Sequence, residues 1–399
     1  MPVPVICTTL LIEKSPQALP LGAACVASAI KHSAELNGKC DVSLKAFCLE
    51  DKDFPNDKDA AAKFIAEKLV EKAGSSKEAV FCFSCFVWNI KILAGASKLL
   101  KEKGYVCIAG GPEITAHPSF YKDFDYTVSG EGEISVPKLI AKILLKKSEK
   151  SDNVIISQSP DLNLIHSPYL DGIIDPSEYE GALWELARGC PFKCAYCYES
   201  KGEKTVRFFP MERIKAELDL FAKKKVPQVF VLDPTYNVNK KRAVELLRLI
   251  AQKTPDTFYY FEARAELMDR ELAREFTRIP CALQIGLQSA NEQTLKLLNR
   301  PFDKKKFCKG LSILNEEGVT FGLDLIFGLP GESFGSFRDG IDFAISQYPN
   351  NLEIFCLSVL PGTDLFDRAE SLGLFWESEP PYHVIKTKEF TPEIGRAHV

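Results

Sequence analysis

The chain has 399 residues, enough for two or three domains, with 46% hydrophobic and 26% charged residues, an ordinary globular composition. Its net charge of −4, from 50 basic and 54 acidic residues, excludes a broad electrostatic footprint for nucleic acid or for an anionic membrane. No apolar run reaches membrane-spanning length, and the apolar start at residues 1–12 lacks the basic flank and cleavage site of a signal peptide.

Alternating short strands and helices fill the first 150 residues, which predicts a doubly wound, flavodoxin-like α/β domain over residues 1–150. The predicted strands cover 3–10, 41–49, 79–86, 105–109 and 126–129, and the predicted helices 21–31, 57–72, 90–103 and 134–147. Polar or glycine-rich loops follow four of these strands, where ligands of such sheets bind, although plain turns would give the same pattern. Residues 151–180 are polar and turn-rich and predict a linker.

A second alternation of strands and helices covers residues 181–372 and predicts a partial (β/α)6 barrel of TIM type, with its active face at the carboxyl ends of the strands. Predicted strands cover 183–188, 228–232, 258–263, 282–287, 320–327 and 352–359, and predicted helices 211–223, 240–252, 269–277, 292–298, 303–316 and 336–346. Residues 373–399 are expected to begin a truncated C-terminal region. Residues 394–399 match the translation of a sequencing adapter, so we expect that end to be artefactual.

The 13 cysteines do not form a disulfide framework, because their number is odd and they are scattered over a long chain, and a reducing cytoplasmic setting is expected. Cys82 and Cys85 have a metal-like spacing but lie in an apolar strand, where side chains three residues apart point to opposite faces. We therefore expect these two thiols not to share a metal ion.

Cys190, Cys194 and Cys197 lie on one loop after a predicted barrel strand. A cubane iron–sulfur cluster normally takes four thiolates, so three leave one iron with an open position where a small molecule can bind. The alternative is a structural zinc site, which needs a fourth ligand. The chain has no histidine between His166 and His383 and no fourth cysteine near the loop, which disfavours zinc.

This C-x-x-x-C-x-x-C loop, with the aromatic Tyr196 before its last cysteine, resembles the radical S-adenosylmethionine (SAM) superfamily. Residues 324–332 (DLIFGLPGE) and 284–289 (QIGLQS) resemble motifs on the fifth and fourth strands of that family's barrel. The resemblance implies that a 4Fe–4S cluster bound by the three cysteines cleaves SAM to a 5′-deoxyadenosyl radical. It implies SAM contacts at Tyr196, Asp233, Glu262, Arg264, Gln288, Ser289, Arg300 and Asp324.

Among these residues, Glu262 and Asp324 are expected to accept hydrogen bonds from the ribose hydroxyls, and Gln288 and Arg300 to hold the methionyl end. Asp233 departs from the family pattern, because many members have a glycine-rich contact at that position.

An α/β domain ahead of such a barrel resembles the cobalamin-binding subgroup of the same superfamily. The implied cobalamin contacts are Thr9, Ser84, Trp88, Asn89, Gly110, Gly111, Glu113, Gly130 and Glu131. The Asp-x-His-x-x-Gly loop that supplies a cobalt ligand in many cobalamin proteins is absent, since residues 9–19 contain no histidine. Loss of cobalamin, with substrate bound in its place, is the alternative interpretation of this domain.

The resemblance implies a radical SAM enzyme, with cobalamin-dependent methyl transfer to a carbon of a small molecule or peptide as the leading hypothesis. Radical rearrangement, cyclisation or oxidation without methyl transfer stays open, as does a non-catalytic cobalamin or SAM sensor. Methylthiolation usually needs a second cluster, and the sequence has no second three-cysteine loop. The expected partner is an electron donor such as flavodoxin or ferredoxin.

Overall fold

The computed structural model describes residues 2–145, 153–201 and 205–391. The chain divides into two compact units, Met1–Gly181 and Ala182–Val399. Each contains one six-stranded parallel sheet, which confirms the predicted α/β class. In the described ranges, no helix is both long and apolar enough to cross a membrane.

The sheet of the first unit has the strand order β2-β1-β3-β4-β5-β6. Its strands are β1 (Val3–Leu11), β2 (Cys40–Cys48), β3 (Val80–Ser84), β4 (Val106–Gly110), β5 (Tyr126–Ser129) and β6 (Val154–Ile156), and its helices are α1 (Leu21–Lys31), α2 (Lys58–Ala73), α3 (Ile90–Glu102), α4 (Pro112–Ala116) and α5 (Gly132–Leu144). The order reverses between β1 and β3, and ligands of doubly wound sheets bind at the carboxyl ends of the strands beside such a reversal.

Two hydrophobic clusters cover the faces of this sheet. Cys82 packs in the cluster that includes Val5 and Ile140, whereas Cys85 packs in the cluster that includes Ile6 and Leu93. The two thiols therefore lie on opposite faces of the sheet, as predicted, and do not share a metal ion.

Residues 153–180, the described part of the segment predicted as a linker, group with the first unit. β6 pairs with β5 in parallel, with Ser129 opposite Ile156. Further along, Asp171 lies 2.9 Å from His32 Nε2 and accepts a hydrogen bond from the Ser28 hydroxyl. A strand of three residues and a single carboxylate give little sequence signal. The contacts that attach this segment to the first unit could therefore not be predicted from its polar composition.

The second unit has six parallel strands in the order β14-β13-β12-β11-β10-β7. Its strands are β7 (Ala182–Trp184), β8 (Ala187–Arg188), β9 (Arg207–Phe208), β10 (Gln228–Val231), β11 (Phe258–Ala263), β12 (Cys281–Gln288), β13 (Phe321–Phe327), β14 (Asn351–Cys356), β15 (Phe375–Trp376) and β16 (Val384–Lys386), and its helices are α6 (Met211–Lys224), α7 (Lys240–Lys253), α8 (Arg270–Phe276), α9 (Glu292–Leu297), α10 (Lys304–Glu317), α11 (Phe334–Ile345) and α12 (Asp364–Arg368). Sequential parallel order with intervening helices is the topology of a partial barrel.

Side chains alternate along these strands between a buried helix-covered face and a more open inner face. On β11, Tyr259 and Phe261 are buried, whereas Tyr260 is half-buried and Glu262 is exposed. On β12, Leu283, Ile285 and Leu287 are buried between more open neighbours. This period of two sends the polar residues of the sequence motifs to the inner face.

Two features differ from the predicted elements of this unit. The predicted first strand splits, since β7 joins the barrel sheet while β8 pairs with β9 in a separate antiparallel ribbon. The predicted C-terminal region begins with an antiparallel hairpin of β15 and β16. The predicted artefactual end at residues 394–399 lies outside the described residues.

Candidate active site

The three-cysteine loop connects β8 to β9, the two strands of the antiparallel ribbon. Arg188 pairs with Arg207 at the base of the loop, so the ribbon closes it. Midway along the loop, Ala195 donates its N–H to the carbonyl of Leu298 at 2.8 Å and accepts from the N–H of Leu365 at 2.8 Å. These backbone bonds hold the segment between the second and third cysteines against two other parts of the unit.

The three thiols are close enough to influence one another's pKa values. Burial raises the pKa of Cys190 and raises that of Cys197 to about 11, and in each case Cys194 adds to the increase. Across the described ranges, no three Cys, His, Asp or Glu side chains form a group that could hold a single metal ion. A cubane spreads its thiolates further apart than a zinc ion does, because each thiolate binds a different iron.

Arg300 lies directly against this loop. Its Nη1 is 3.7 Å from Cys194 Sγ and 3.2 Å from Tyr196 Oη, and its Nη2 donates to the carbonyl of Gly286. The Nε atom is buried and has no hydrogen-bond partner among the described residues. A buried N–H donor without a partner is uncommon, and here it is available to a ligand carboxylate.

The end of β12 is shaped around Gly286. Pairing between β12 and β13 is irregular between Gly286 and Gln288, and Gln288 adopts a left-handed φ of 70°. A Cβ at Gly286 would lie 2.4 Å from Gln288 Nε2 and 3.3 Å from Arg300 Nη2. The absence of a side chain thus lets the two predicted methionyl contacts meet over the strand. A glycine inside a strand signals such close approach, and this one was missed from the sequence.

Two carboxylates stand on the inner face of the barrel beside this cluster. Burial, followed by the like charge of Asp324, raises the pKa of Glu262 to about 7, although solvent still reaches its side chain. Burial also raises the pKa of Asp324 to about 6, and Gln284 donates a hydrogen bond to that carboxylate. Glu262 on β11 and Asp324 on β13 stand on either side of β12. Two acceptors so placed suit vicinal hydroxyls, the role that the resemblance implies toward the ribose.

Asp233 is buried behind the cysteine loop. Its Oδ1 accepts hydrogen bonds from the N–H groups of Leu186 and Ala187, both at 2.9 Å. Burial raises its pKa to about 7, and the two amide bonds partly oppose that increase. These contacts make Asp233 a positioning residue for the strand that leads into the loop. A direct contact with SAM stays a prediction.

Ser289 is also engaged within the protein. It is fully buried and donates to Glu332, a buried carboxylate whose Oε2 has no hydrogen-bond partner within the part of the chain that the structure describes. The pair joins the end of β12 to the loop after β13. Thr235, which the sequence did not single out, lies with its hydroxyl 4.0 Å from Cys190 Sγ.

In the first unit, Asn89 ties together the ends of β1 and β3. Its Nδ2 donates to Thr9 Oγ1 at 3.2 Å and to the carbonyl of Leu10 at 3.1 Å, and its Oδ1 accepts from the N–H of Phe86 at 2.8 Å. Thr9 in turn donates to the carbonyl of Ser84 at 2.8 Å. Both Asn89 and Thr9 are buried, so they shape the loops instead of lining their surface.

The other predicted cobalamin contacts divide into one buried residue and an accessible group. Glu113 is buried and accepts a hydrogen bond from Tyr121. At Gly111, φ is 101° and a Cβ would lie 2.5 Å from the carbonyl oxygen of Cys85, which no other residue type tolerates without movement. Exposed or half-exposed positions at this edge are Ser84, Trp88, Gly110, Gly111, Gly130 and Glu131.

Trp88 is the large side chain of that group. It is 45% exposed, its indole N–H donates to the carbonyl of Leu10 at 3.2 Å, and its ring stacks on Phe86 at a centroid distance of 4.5 Å. The result is a flat apolar platform, held in place on one side and open on the other.

Comparison with known proteins agrees with this geometry. Residues 184–344 match the model of the radical SAM superfamily. These residues form a radical SAM domain. The domain contains the cysteine loop, Arg300 and all the predicted SAM contacts.

Two curated relatives match this chain outside as well as inside that domain. The cobalamin-dependent radical SAM methyltransferase TokK of Streptomyces tokunonensis is 26% identical over 78% of this chain and 52% of its own length. The 2-(S-pantetheinyl)-carbapenam-3-carboxylate methyltransferase of Streptantibioticus cattleyicolor is 26% identical over 76% of this chain and 50% of its own. The chain therefore spans about half the length of these relatives.

Two solved structures have the same fold as this chain. TsrM of Kitasatospora setae, a radical SAM methyltransferase solved with tryptophan and a SAM analogue, superposes with a TM-score of 0.73 at 14% identity, covering 98% of this chain and 82% of TsrM. The cobalamin-dependent enzyme OxsB superposes with a TM-score of 0.63 at 14% identity, covering 92% of this chain and 55% of OxsB. An α/β unit followed by a radical SAM barrel is thus an architecture seen in known enzymes.

Proposed function

We propose that this protein is a cobalamin-dependent radical SAM methyltransferase that acts on a carbon of a small molecule or peptide. The observation that carries the proposal is the position of Arg300, which contacts Cys194 while its buried Nε lacks a partner in residues 2–145, 153–201 and 205–391. Three thiols and an adjacent guanidinium fit a cluster that needs one further ligand, with the carboxylate of that ligand paired to the arginine.

Cys190, Cys194 and Cys197 would hold the 4Fe–4S cluster, and Arg300, Gln288, Glu262 and Asp324 would hold SAM. The bound cofactors would supply radical formation and methyl transfer, while the protein orients them and excludes water. Burial disfavours the thiolate form at Cys190 and Cys197, so binding of iron would release protons from these two residues.

The cobalamin part of the proposal is supported by the strand order of the first unit and by the names of the relatives TokK and OxsB. Glycines at positions 110, 111 and 130 let the backbone approach a ligand, and the Trp88 platform offers a flat apolar surface to a corrin. Because residues 9–19 contain no histidine, we propose that cobalt receives no imidazole ligand from that loop.

The test is anaerobic incubation of the reconstituted protein with SAM and a low-potential reductant. Cluster function predicts 5′-deoxyadenosine, and methyl transfer predicts S-adenosylhomocysteine together with a methylcobalamin absorbance spectrum. A protein that makes only 5′-deoxyadenosine and retains no added cobalamin would contradict the methyl-transfer half. We further propose a cytoplasmic location. We also propose reduction by a flavodoxin or ferredoxin, which binding and reduction assays with those donors would test.

A further inference from the structure

Arg264 has its guanidinium surrounded by protein partners. The side chain is only 9% exposed, and Nη2 lies 2.9 Å from Glu266 Oε1 and donates to the carbonyl of Pro301 at 2.7 Å. The guanidinium carbon lies 4.0 Å from the ring centroid of Phe192. One face and two edges of the group are therefore occupied, which leaves it poorly placed to bind a carboxylate of SAM.

Two of these contacts, those with Phe192 and Pro301, connect Arg264 to the cysteine loop. Phe192 stands between Cys190 and Cys194, so the stacked ring belongs to the loop that would wrap the cluster. Pro301 follows Arg300, whose Nη1 contacts Cys194 and Tyr196. Arg264 thus reaches the loop directly through Phe192 and indirectly through the backbone beside Arg300.

The backbone at Arg264 is itself fixed. The side-chain amide of Asn237 donates to the Arg264 carbonyl at 2.9 Å and accepts from the Arg264 N–H at 3.0 Å. Asn237 is almost fully buried. These two bonds fix the backbone from which the Arg264 side chain extends. The barrel framework therefore sets the position of the guanidinium that stacks on the Phe192 ring.

We propose that Arg264 is a positioning residue that clamps Phe192 and thereby presets the spacing of the three thiols before iron binds. A guanidinium over an aromatic ring is attracted by the ring quadrupole, most strongly where water is excluded. Lysine would keep the charge but lose the planar face and the second edge. This role rests on the proposed cluster binding and assigns the positioning of the cysteine loop to Arg264 and Phe192.

The experiment compares Arg264→Lys, Phe192→Leu, the double variant and Phe192→Tyr with the wild-type chain. After anaerobic reconstitution, release of iron to a chelator is followed by absorbance, and SAM affinity is measured by calorimetry. We expect Arg264→Lys and Phe192→Leu each to release iron about 3- to 30-fold faster. The double variant should release iron no faster than the worse single variant, Phe192→Tyr should resemble the wild type, and SAM affinity should change less than about threefold in all of them.

Arg274→Lys is the matched control, because that arginine makes an exposed ion pair with Glu317 at 3.0 Å on the outer helices. Equal iron release in Phe192→Leu and the wild type would overturn the inference, and this variant decides the matter alone if Arg264→Lys fails to fold. A loss of SAM affinity confined to Arg264→Lys would also overturn it, in favour of a SAM ligand. A wild-type chain that takes up no cluster would instead refute the proposed function on which the inference rests.

Discussion

The Nη1 atom of Arg300 lies 3.7 Å from Cys194 Sγ, so a fixed positive charge stands beside one of the three thiols of the loop. The same nitrogen is 3.2 Å from Tyr196 Oη, and the other terminal nitrogen donates to Gly286. One guanidinium thus links the cysteine loop to the end of β12, where ligands of the barrel bind.

Replacing Arg300 by lysine is expected to weaken SAM binding by about 10- to 100-fold, because a hydrogen bond to a charged group is lost and a point charge cannot span three partners. Calorimetry on the reconstituted protein measures the effect. Arg274→Lys should bind SAM as the wild type does. Unchanged affinity in Arg300→Lys would contradict the assignment of Arg300 to the methionyl carboxylate.

Gly286→Ala is expected to reduce SAM affinity by at least about tenfold without unfolding the chain. The added Cβ would lie 2.4 Å from Gln288 Nε2 and 3.3 Å from Arg300 Nη2, so both side chains must move. Gly335→Ala is the control, since its Cβ would meet only Ser333 Oγ, at 3.7 Å. If Gly286→Ala binds SAM normally, the two side chains are not its ligands in the arrangement seen here.

Gly111→Ala is expected to abolish cobalamin retention, because its Cβ would lie 2.5 Å from the carbonyl oxygen of Cys85 at the carboxyl edge of the first sheet. Gly104→Ala provides a matched control, since it has a similar φ of +86° but no atom within 4 Å of the added Cβ. The control should lose only about 1 kcal/mol of stability and retain cobalamin, as measured by absorbance after gel filtration. Equal retention by both variants would argue against a ligand at this edge.

Glu332 is expected to make the stability of the chain depend on pH. Burial raises the pKa of Glu332 from 4.5 to about 7. Between these two pH values the native state therefore keeps a proton on Glu332 that the unfolded state has lost. Stability from this group is complete below about pH 4.5 and declines as pH rises toward 7. In Glu332→Gln that decline, on the order of 1–3 kcal/mol, should disappear. Thermal unfolding midpoints of the cluster-free protein from pH 5 to 8 test this, and parallel curves for the two proteins would refute it.

Much of the fold could be predicted from the sequence because its signals are local. Helix α1 and strands β5 and β11 begin and end where apolar periodicity placed them. β6 could not be predicted, because three residues are too few to show a periodicity. Its pairing with β5 is a tertiary contact that the local sequence pattern does not show.

The candidate site divides in the same way. The cysteine spacing and the strand-end motifs can be identified in the sequence. The contacts that each motif residue makes within the fold cannot. Asp233 turned out to hold the amides of Leu186 and Ala187, and Arg264 to stack on Phe192. Both contacts join residues far apart in the chain, so no spacing rule reveals them.

The most direct test of the account is electron paramagnetic resonance of the anaerobically reconstituted, dithionite-reduced chain with and without SAM, beside Cys194→Ala. We expect about four iron atoms per wild-type chain, a 4Fe–4S spectrum whose g values shift when SAM is added, and no such cluster in the variant. A wild-type spectrum that SAM leaves unchanged, or a cluster and SAM cleavage that survive in Cys194→Ala, would contradict it.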